Sequence, residues 1–206
     1  KAAATTWSAG SILQLKIRLL GISPMIWRRI LVRSDSSLED LHEIIQLSMG
    51  WDADHLYCFK VNGKDYGSAG ALTGDEHEPL SALRLRPNQR FLYEYDFTTM
   101  FDVWQFDVRF ERDLPLKNGV NYPHCLGGKR YGPPERCSGA REFVDEQYRI
   151  ERTFLCDLVE AWKAKDIDAM RDIYEENNFY SRETLNRTFS KHFQTAADKK
   201  RSANEV

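Results

Sequence analysis

Apolar and polar positions alternate in several parts of the chain and predict strands. The segment ILQLKIRLL at 12–20 alternates throughout, which is typical of a strand with one buried and one wet face. The turn GISP and the apolar run MIWRRILV at 25–32 predict a second strand that forms a hairpin with the first. The register of this second strand is ambiguous, because neither phase places both Trp27 and Arg28 comfortably. Two further strands, in RFLYEYDF at 90–97 and VWQFDVRFE at 103–111, place large side chains on one face. These side chains are Phe91, Tyr93, Tyr95, Phe97, Trp104, Phe106, Val108 and Phe110.

The apolar period changes to that of a helix in SSLEDLHEIIQLSMG at 36–50. Ser36 and Glu39 have the spacing of a capping box, and Gly50 suits the C-terminal cap. The apolar stripe consists of Leu38, Leu41, Ile45 and Met49. LYCFKV at 56–61 predicts a short strand, and residues 62–90 predict a long connection. Three further helices are predicted at 141–164, 166–178 and 181–193.

The order of these elements predicts the fold class. A hairpin, a helix and then further strands is the order of a β-grasp (ubiquitin-like) arrangement. We therefore predict an α+β fold in which a mixed or antiparallel sheet packs on one main helix, with a helical C-terminal part. The predicted units are a flexible N-terminus at 1–11, an α+β core domain at 12–139, a helical extension packed on the core at 140–193, and a solvated tail at 194–206.

Composition narrows the class of protein. Hydrophobic residues make up 42% of the 206, which is enough for a packed interior. The net charge of −2 gives no global attraction to nucleic acid or to an anionic membrane. No apolar run approaches the roughly 20 residues of a membrane span. The first ten residues lack the apolar centre of a signal peptide, and the four cysteines are widely spaced, so we expect a cytoplasmic protein with reduced thiols.

Four stretches of the chain form a recognisable combination. They are ISPMIWRRILV, LEDLHEIIQLSMGWDADHLYCFKVNGKDYG, RFLYEYDF with a following Trp, and YPHCLGGKRYGPPERCSG. Together they span about residues 12 to 139 and resemble the plasmid pRiA4b ORF-3-like family, whose members are often found with bacterial plasmids and transposable elements. Weaker similarity continues around ETLNRTF. The resemblance implies a compact α+β domain and assigns no chemistry to it.

The chain departs from the family pattern in two places. A short Gly-Asp turn usually separates the YDF strand from the following Trp, and here TTMFDV lengthens it. The family's Pro-Pro-Glu segment usually lies between two cysteines and is followed by Asp. Here Gly132 stands on the first flank and Arg136 follows the glutamate.

The segment NYPHCLGGKRYGPPERCSG at 121–139 offers three interpretations: a zinc site, a disulfide loop or a stiff lid. A closed zinc site needs four nitrogen or sulfur ligands, and this segment supplies only His124, Cys125 and Cys137. A reducing cytoplasm disfavours a disulfide between the two cysteines. Because Pro133 and Pro134 restrict the backbone, we expect a lid without zinc.

The predicted lid defines a groove for a ligand or partner. We expect it to position Tyr131, Glu135 and Arg136 beside Asp96 and Trp104. Glu135 is the first residue to test, because it survives from the family pattern. We expect no cofactor.

Carboxylates and a histidine provide a metal-binding alternative. Asp52, Asp54 and His55 follow the first helix, and oxygen and imidazole ligands together suit a hard or borderline cation. Short polar side chains also cap turns, and this local role is the favoured interpretation.

The predicted strand face with Glu94 and Asp96, near Asp102, could also hold a cation. A solvated face balanced by Lys16, Arg18 and Arg109 is favoured there.

A basic stretch provides a nucleic-acid alternative. Trp27, Arg28 and Arg29 could contact phosphates and a base, with further cations along the chain. These further cations are Arg33, Arg84, Arg86 and Arg90. Ordinary surface charge is favoured, because the net charge is negative.

The motifs GxGxxG, GxxxxGK[ST], GxSxG and HExxH are missing from the sequence. We therefore predict a non-catalytic cytoplasmic binding or interaction module associated with plasmids or transposable elements. It would have a protein partner or small ligand and no membrane contact. The first alternative is a metal-dependent hydrolase or nuclease that uses Asp52, Asp54, His55 and Asp96. The second is a nucleic-acid accessory protein.

Overall fold

One antiparallel sheet forms the centre of the protein. The computed structural model describes residues 10–68, 74–96, 103–135, 137, 139–170 and 182–203. The strands are β1 Ile12–Leu19, β2 Trp27–Arg33, β3 Tyr57–Val61, β4 Lys64–Gly67, β5 Arg90–Tyr95, β6 Trp104–Leu114 and β7 His124–Lys129. Their spatial order is β4-β3-β5-β6-β1-β2-β7, and each neighbouring pair is antiparallel. The predicted hairpin of β1 and β2 is confirmed and lies next to the edge strand β7.

Within the described residues, three helices of 12 residues or more and one 3-10 helix accompany the sheet. The helices are α1 Leu38–Met49, α2 Ala140–Ala164 and α3 Arg182–Ala203, and the 3-10 helix is Leu80–Leu83. The capping box of α1 lies one residue later than predicted: Asp40 N–H donates to the Ser37 hydroxyl over 3.0 Å, and Ser37 N–H donates to the Asp40 carboxylate over 2.8 Å. Gly50 ends the helix in the left-handed conformation, as predicted. Residues 167–170 are helical, and the rest of the helix predicted at 166–178 lies outside the described residues.

The core lies on one face of the sheet, here named the inner face, and includes residues of α1, the 3-10 helix, α2 and α3. Alternate residues of β1, β5 and β6 point to this face because side chains of a strand alternate between its two sides. They are Leu13, Leu15, Ile17, Phe91, Tyr93, Tyr95, Trp104, Phe106, Val108 and Phe110, and all are buried, as is the predicted stripe of α1. Phe97 lies outside the described residues. The opposite side, here named the outer face, carries Gln14, Lys16, Arg18, Trp27, Arg29, Lys60, Glu94, Asp107 and Arg109.

The predicted β-grasp-like sheet on one main helix is wrong. The sheet has seven antiparallel strands, and α1, with 12 residues, is shorter than α2 with 25 and α3 with 22. The order of predicted elements was misleading because it lacked two strands. β4 lies within the connection predicted at 62–90, and β7 lies within the segment predicted as a lid.

The register of β2 is settled by the burial of Arg28. This side chain is 1% exposed on the inner side, whereas Trp27 lies on the outer face. The Arg28 guanidinium donates to the carbonyls of Ser48 over 3.0 Å, Trp27 over 2.9 Å and Lys129 over 3.1 Å. It therefore joins the C-terminal turn of α1 to β2 and β7. A positive charge at the C-terminal end of a helix also interacts favourably with the helix dipole.

Candidate functional site

The segment at 131–135, which contains the Pro-Pro-Glu motif, crosses the C-terminal end of α1. A Cβ atom on Gly132 would overlap the carbonyl oxygen of Met49, so this position accepts only glycine. The indole N–H of Trp51 donates to the Pro133 carbonyl over 2.7 Å.

Glu135 fastens the same segment to the sheet. Its carboxylate accepts a hydrogen bond from the Tyr95 hydroxyl and another from the Asp52 backbone N–H, each over 2.8 Å. Burial raises the pKa of Tyr95, and the hydrogen bond to Glu135 raises it further. The residue predicted to contact a ligand therefore makes two structural hydrogen bonds. We name Trp51, Asp52, His55, Tyr95, Asp96 and Glu135 the corner cluster.

Three residues of the predicted metal site, Asp52, His55 and Asp96, belong to the corner cluster. His55 Nδ1 lies 3.9 Å from an Asp96 carboxylate oxygen, which is too long for a direct hydrogen bond. Asp96 is 8% exposed and has a φ of 62°, and its N–H donates to the Leu56 carbonyl over 3.0 Å. Asp52 is exposed, and Asp54 is exposed as well. Among the described residues, no three His, Cys, Asp or Glu side chains are close enough to hold a metal ion.

The residues predicted to line a groove do not lie on one surface. Trp104 is fully buried, and its indole N–H donates to the Cys137 carbonyl over 3.2 Å. Tyr131 is 55% exposed. Arg136 lies outside the described residues. The negative charges of Glu135 and Asp96 both raise the pKa of Tyr95. Among the described residues of the predicted groove, these two carboxylates therefore lie near the same hydroxyl.

The four cysteines are thiols rather than members of a disulfide. Cys58, Cys125 and Cys137 are buried, and Cys156 is exposed. Burial raises the pKa of the Cys58 thiol to about 11, which makes it a poor nucleophile. The Cys125 thiol contacts the Gly127 carbonyl at 3.4 Å.

A buried polar network under α1 was not predicted from the sequence. The Tyr93 hydroxyl lies 2.7 Å from His42 Nδ1 and accepts from the Gln46 amide over 2.6 Å. The His42 ring stacks on Tyr57, with ring centroids 3.8 Å apart. Burial lowers the pKa of His42 to about 4, so the ring is neutral and Nδ1 accepts the Tyr93 hydroxyl hydrogen. The only sequence signal was the i, i+4 spacing of His42 and Gln46 on the helix.

The acidic pair of β5 does not form an open site. Glu94 is 7% exposed, bonds Lys60 over 2.7 Å and accepts from the Gln105 amide over 2.9 Å. The balance predicted from Lys16, Arg18 and Arg109 therefore comes from Lys60 instead. Asp102 lies outside the described residues.

The predicted basic stretch divides between the two faces of the sheet. Arg28 is buried, whereas Trp27 and Arg29 lie on the outer face. Arg29 donates two hydrogen bonds to Glu111, over 2.7 and 2.9 Å. This bond raises the pKa of Arg29 and lowers the pKa of Glu111. Only part of the proposed nucleic-acid contact therefore remains accessible.

A cleft of about 350 Å³ opens between the loop that follows β6 and the helix α3. Its lining residues come from the end of β2, from the loop and from α3. They are Arg33, Leu116, Lys117, Asn118, Gly119, Val120, Asn121, Tyr122, Pro123, Phe189, Ser190 and Phe193. Arg33 donates two hydrogen bonds to Asp35, over 2.8 and 2.6 Å. Sequence reasoning missed this cleft because its two walls are distant in the chain.

The chain is similar to known proteins over most of its length. The family model described as plasmid pRiA4b ORF-3-like protein matches residues 11–184. The chain belongs to this family. A relative named "Uncharacterized protein y4hQ", from Sinorhizobium fredii, is 32% identical over 135 residues, which cover 63% of this chain and 68% of the relative.

The chain is also similar to a solved structure. The crystal structure of the protein of unknown function MM3350, from Methanosarcina mazei Go1, has a TM-score of 0.63 and 29% sequence identity. The similarity covers 86% of this chain and 98% of that one. Within the described residues, no helix is both long and apolar enough to cross a membrane.

Proposed function

We propose that this member of the plasmid pRiA4b ORF-3-like family is a non-catalytic binding module whose ligand occupies the cleft beside α3. The observation that carries the proposal is the cleft itself. Its volume of about 350 Å³ falls within the range of ligand sites in proteins. Two walls that are distant in the chain converge on it, which favours a site shaped by the fold.

The lining of the cleft suits an amphipathic anion. Its apolar part is formed by Leu116, Val120, Pro123, Phe189 and Phe193. Lys117 contributes a cation, and Asn118 and Asn121 contribute amides that can donate hydrogen bonds. A ligand with an aromatic or aliphatic body and one carboxylate or phosphate would match both parts.

The corner cluster supports a non-catalytic role. Glu135 uses both carboxylate oxygens in bonds to Tyr95 and to the backbone of Asp52. The contact between His55 and Asp96, at 3.9 Å, is long for proton transfer. These groups stabilise the crossing of the segment at 131–135 over α1.

Filling the cleft tests the proposal. A series of amphipathic anions, from benzoate to phenyl phosphate and longer alkyl carboxylates, would be screened by thermal shift and titrated by calorimetry. We expect at least one to bind the wild type, and Ser190→Phe, which places a ring in the cleft, to weaken that binding about tenfold or more. The matched control is Thr188→Phe, which adds the same ring at an exposed position of α3.

Two results would contradict the proposal. One is equal binding of the ligand by the wild type and the Ser190→Phe variant. The other is divalent-metal-dependent hydrolysis of a phosphodiester by the wild type that disappears in a folded Asp96→Asn variant. The second result would make the corner cluster an active site.

A further inference from the structure

Four cations stand side by side across the outer face of the sheet. Arg90 of β5 pairs with Arg109 of β6, Arg109 pairs with Lys16 of β1, and Lys16 pairs with Arg29 of β2. Gly127 of β7 follows opposite Arg29. Because neighbouring strands are about 4.8 Å apart, this cation row is about 14 Å long. The row belongs to a chain whose net charge is −2.

The fold itself does not require the cation row. Like charges directly opposite each other destabilise a sheet. The nearby carboxylates are shared: Asp107 contacts Arg90 at 2.9 Å and Arg18 at 3.7 Å, and Glu111 bonds Arg29. The guanidinium of Arg109 bonds the neutral side chain of Asn88 instead. The arrangement therefore concentrates positive charge in one line at a cost in stability.

An aromatic ring lies beside the cation row. The Lys16 Nζ atom is 5.1 Å from the centre of the Trp27 ring, and the Arg29 guanidinium carbon is 5.5 Å from it. Gly127 of β7 lies next to the edge of this ring, where a Cβ atom would be 4.0 Å away, an ordinary van der Waals distance. The Trp27 side chain is half-buried, and it is not part of the buried cluster that forms the core.

We propose that the outer face binds single-stranded nucleic acid, with phosphates along the cation row and a base against Trp27. A line of cations matches a chain of phosphates, and an aromatic ring on a sheet offers a stacking surface for an unpaired base. A single strand is favoured over a duplex because the bases of a duplex are already stacked on one another. The proposal is independent of the cleft, which lies between the loop after β6 and α3.

Fluorescence anisotropy with a labelled oligothymidylate tests this proposal. We expect saturable binding by the wild type that weakens strongly between about 50 and 200 mM salt, as expected for phosphate contacts. Lys16→Gln combined with Arg109→Gln should reduce the affinity about tenfold, because each lost phosphate contact removes counterion release. Trp27→Leu should weaken binding by a smaller factor and leave the salt dependence unchanged.

The control removes the same charge away from the cation row. Arg84→Gln combined with Arg86→Gln should bind like the wild type, since both side chains are exposed outside the sheet. Ser190→Phe should also leave oligothymidylate binding unchanged. The Lys16 and Arg109 double variant should unfold at the same temperature as the wild type or higher, which separates lost contacts from misfolding.

Three outcomes would overturn the proposal. The first is no saturable binding of the oligothymidylate by the wild type. The second is an equal loss of affinity in the Arg84 and Arg86 control. The third is tighter binding of a duplex of matched length, or of heparin, than of the single strand, which would assign the cation row to a different polyanion.

Discussion

Tyr95 shows how one side chain connects the sheet to the segment that crosses α1. Its ring is fully buried and stacks on Trp51, with ring centroids 5.5 Å apart. Its hydroxyl reaches Glu135 at the edge of the core. The ring therefore contributes burial, and the hydroxyl helps to hold the segment at 131–135 in place.

Replacing Tyr95 separates these two contributions. We expect Tyr95→Ala to lower the free energy of unfolding by about 3 kcal/mol or more, because it leaves a cavity in the core. Tyr95→Phe keeps the ring and removes only the bond to Glu135, so a loss of about 1 kcal/mol is expected. Denaturant unfolding measures both values. A loss below about 1 kcal/mol in Tyr95→Ala would show that this face is not core.

At the residue scale, the sequence predicted which side chains are buried better than it predicted what the charged side chains bind. Alternation correctly placed Tyr93 and Tyr95 in the core, because that pattern follows from the geometry of a strand. The basic stretch beside Trp27 made Arg28 a candidate for phosphate contact, and the family pattern made Glu135 a candidate for ligand contact. Each is instead held by partners distant in the chain, such as Lys129 for Arg28 and Tyr95 for Glu135, which no local pattern reveals.

At the scale of elements, long amphipathic segments were predicted and short edge strands were missed. β4 has four residues and β7 contains two adjacent glycines, so neither shows a clear alternation. Their pairing is imposed by β3 and β2. The edge strand β7 is in turn covered by α3, which protects unpaired backbone groups as edge strands require.

Asn186 of α3 provides the test of this protection. Its amide oxygen accepts from the Cys125 backbone N–H over 2.6 Å, and its amide NH₂ donates to the Cys125 carbonyl over 3.0 Å. Asn186→Ala leaves both buried backbone groups without these partners, so we expect a loss of about 2 kcal/mol in the free energy of unfolding. Hydrogen exchange of the Cys125 amide should accelerate. The control Arg187→Ala, at an exposed neighbouring position, should change neither measurement.

Unchanged protection of the Cys125 amide in Asn186→Ala would show that α3 does not cover β7 in solution. Loss of protection throughout the sheet in the control would point instead to general weakening of α3.

At the scale of the whole molecule, the arrangement of strands determines both proposed binding surfaces. The cation row needs the registers of three strand pairs, and the cleft needs α3 to lie near the loop after β6. Arg90, Arg109, Lys16 and Arg29 are scattered along the sequence. Net charge alone therefore argued against nucleic acid, whereas the sheet concentrates these cations. Neither surface could be predicted before the topology was known.

The buried His42 makes the stability of the whole molecule depend on pH. The unfolded chain binds a proton on His42 below a pKa of about 6.5, whereas the folded protein keeps the ring neutral down to about 4. Between these values the unfolded state holds more protons, so the free energy of unfolding falls as the pH falls. His42 alone contributes a loss of roughly 3 kcal/mol over this window. Burial also lowers the pKa of His124, which adds a loss of the same sign.

The carboxylates of Glu111 and Asp35 also make the stability depend on pH, but at a lower pH than His42 does. Hydrogen bonds from arginines lower the pKa values of Glu111 and Asp35, so their stabilisation is present above their unfolded values of 4.5 and 3.8 and is lost below them.

Chemical denaturation of the wild type and His42→Gln from pH 7 to pH 4 therefore tests the role of the buried histidine. The introduced glutamine side chain cannot take up a proton, and its amide oxygen can accept from Tyr93, so the variant should lose less stability between about pH 6.5 and 4 than the wild type. Parallel curves for the wild type and His42→Gln would mean that His42 is protonated in the folded protein. The bond from Tyr93 to Nδ1 would then be assigned incorrectly.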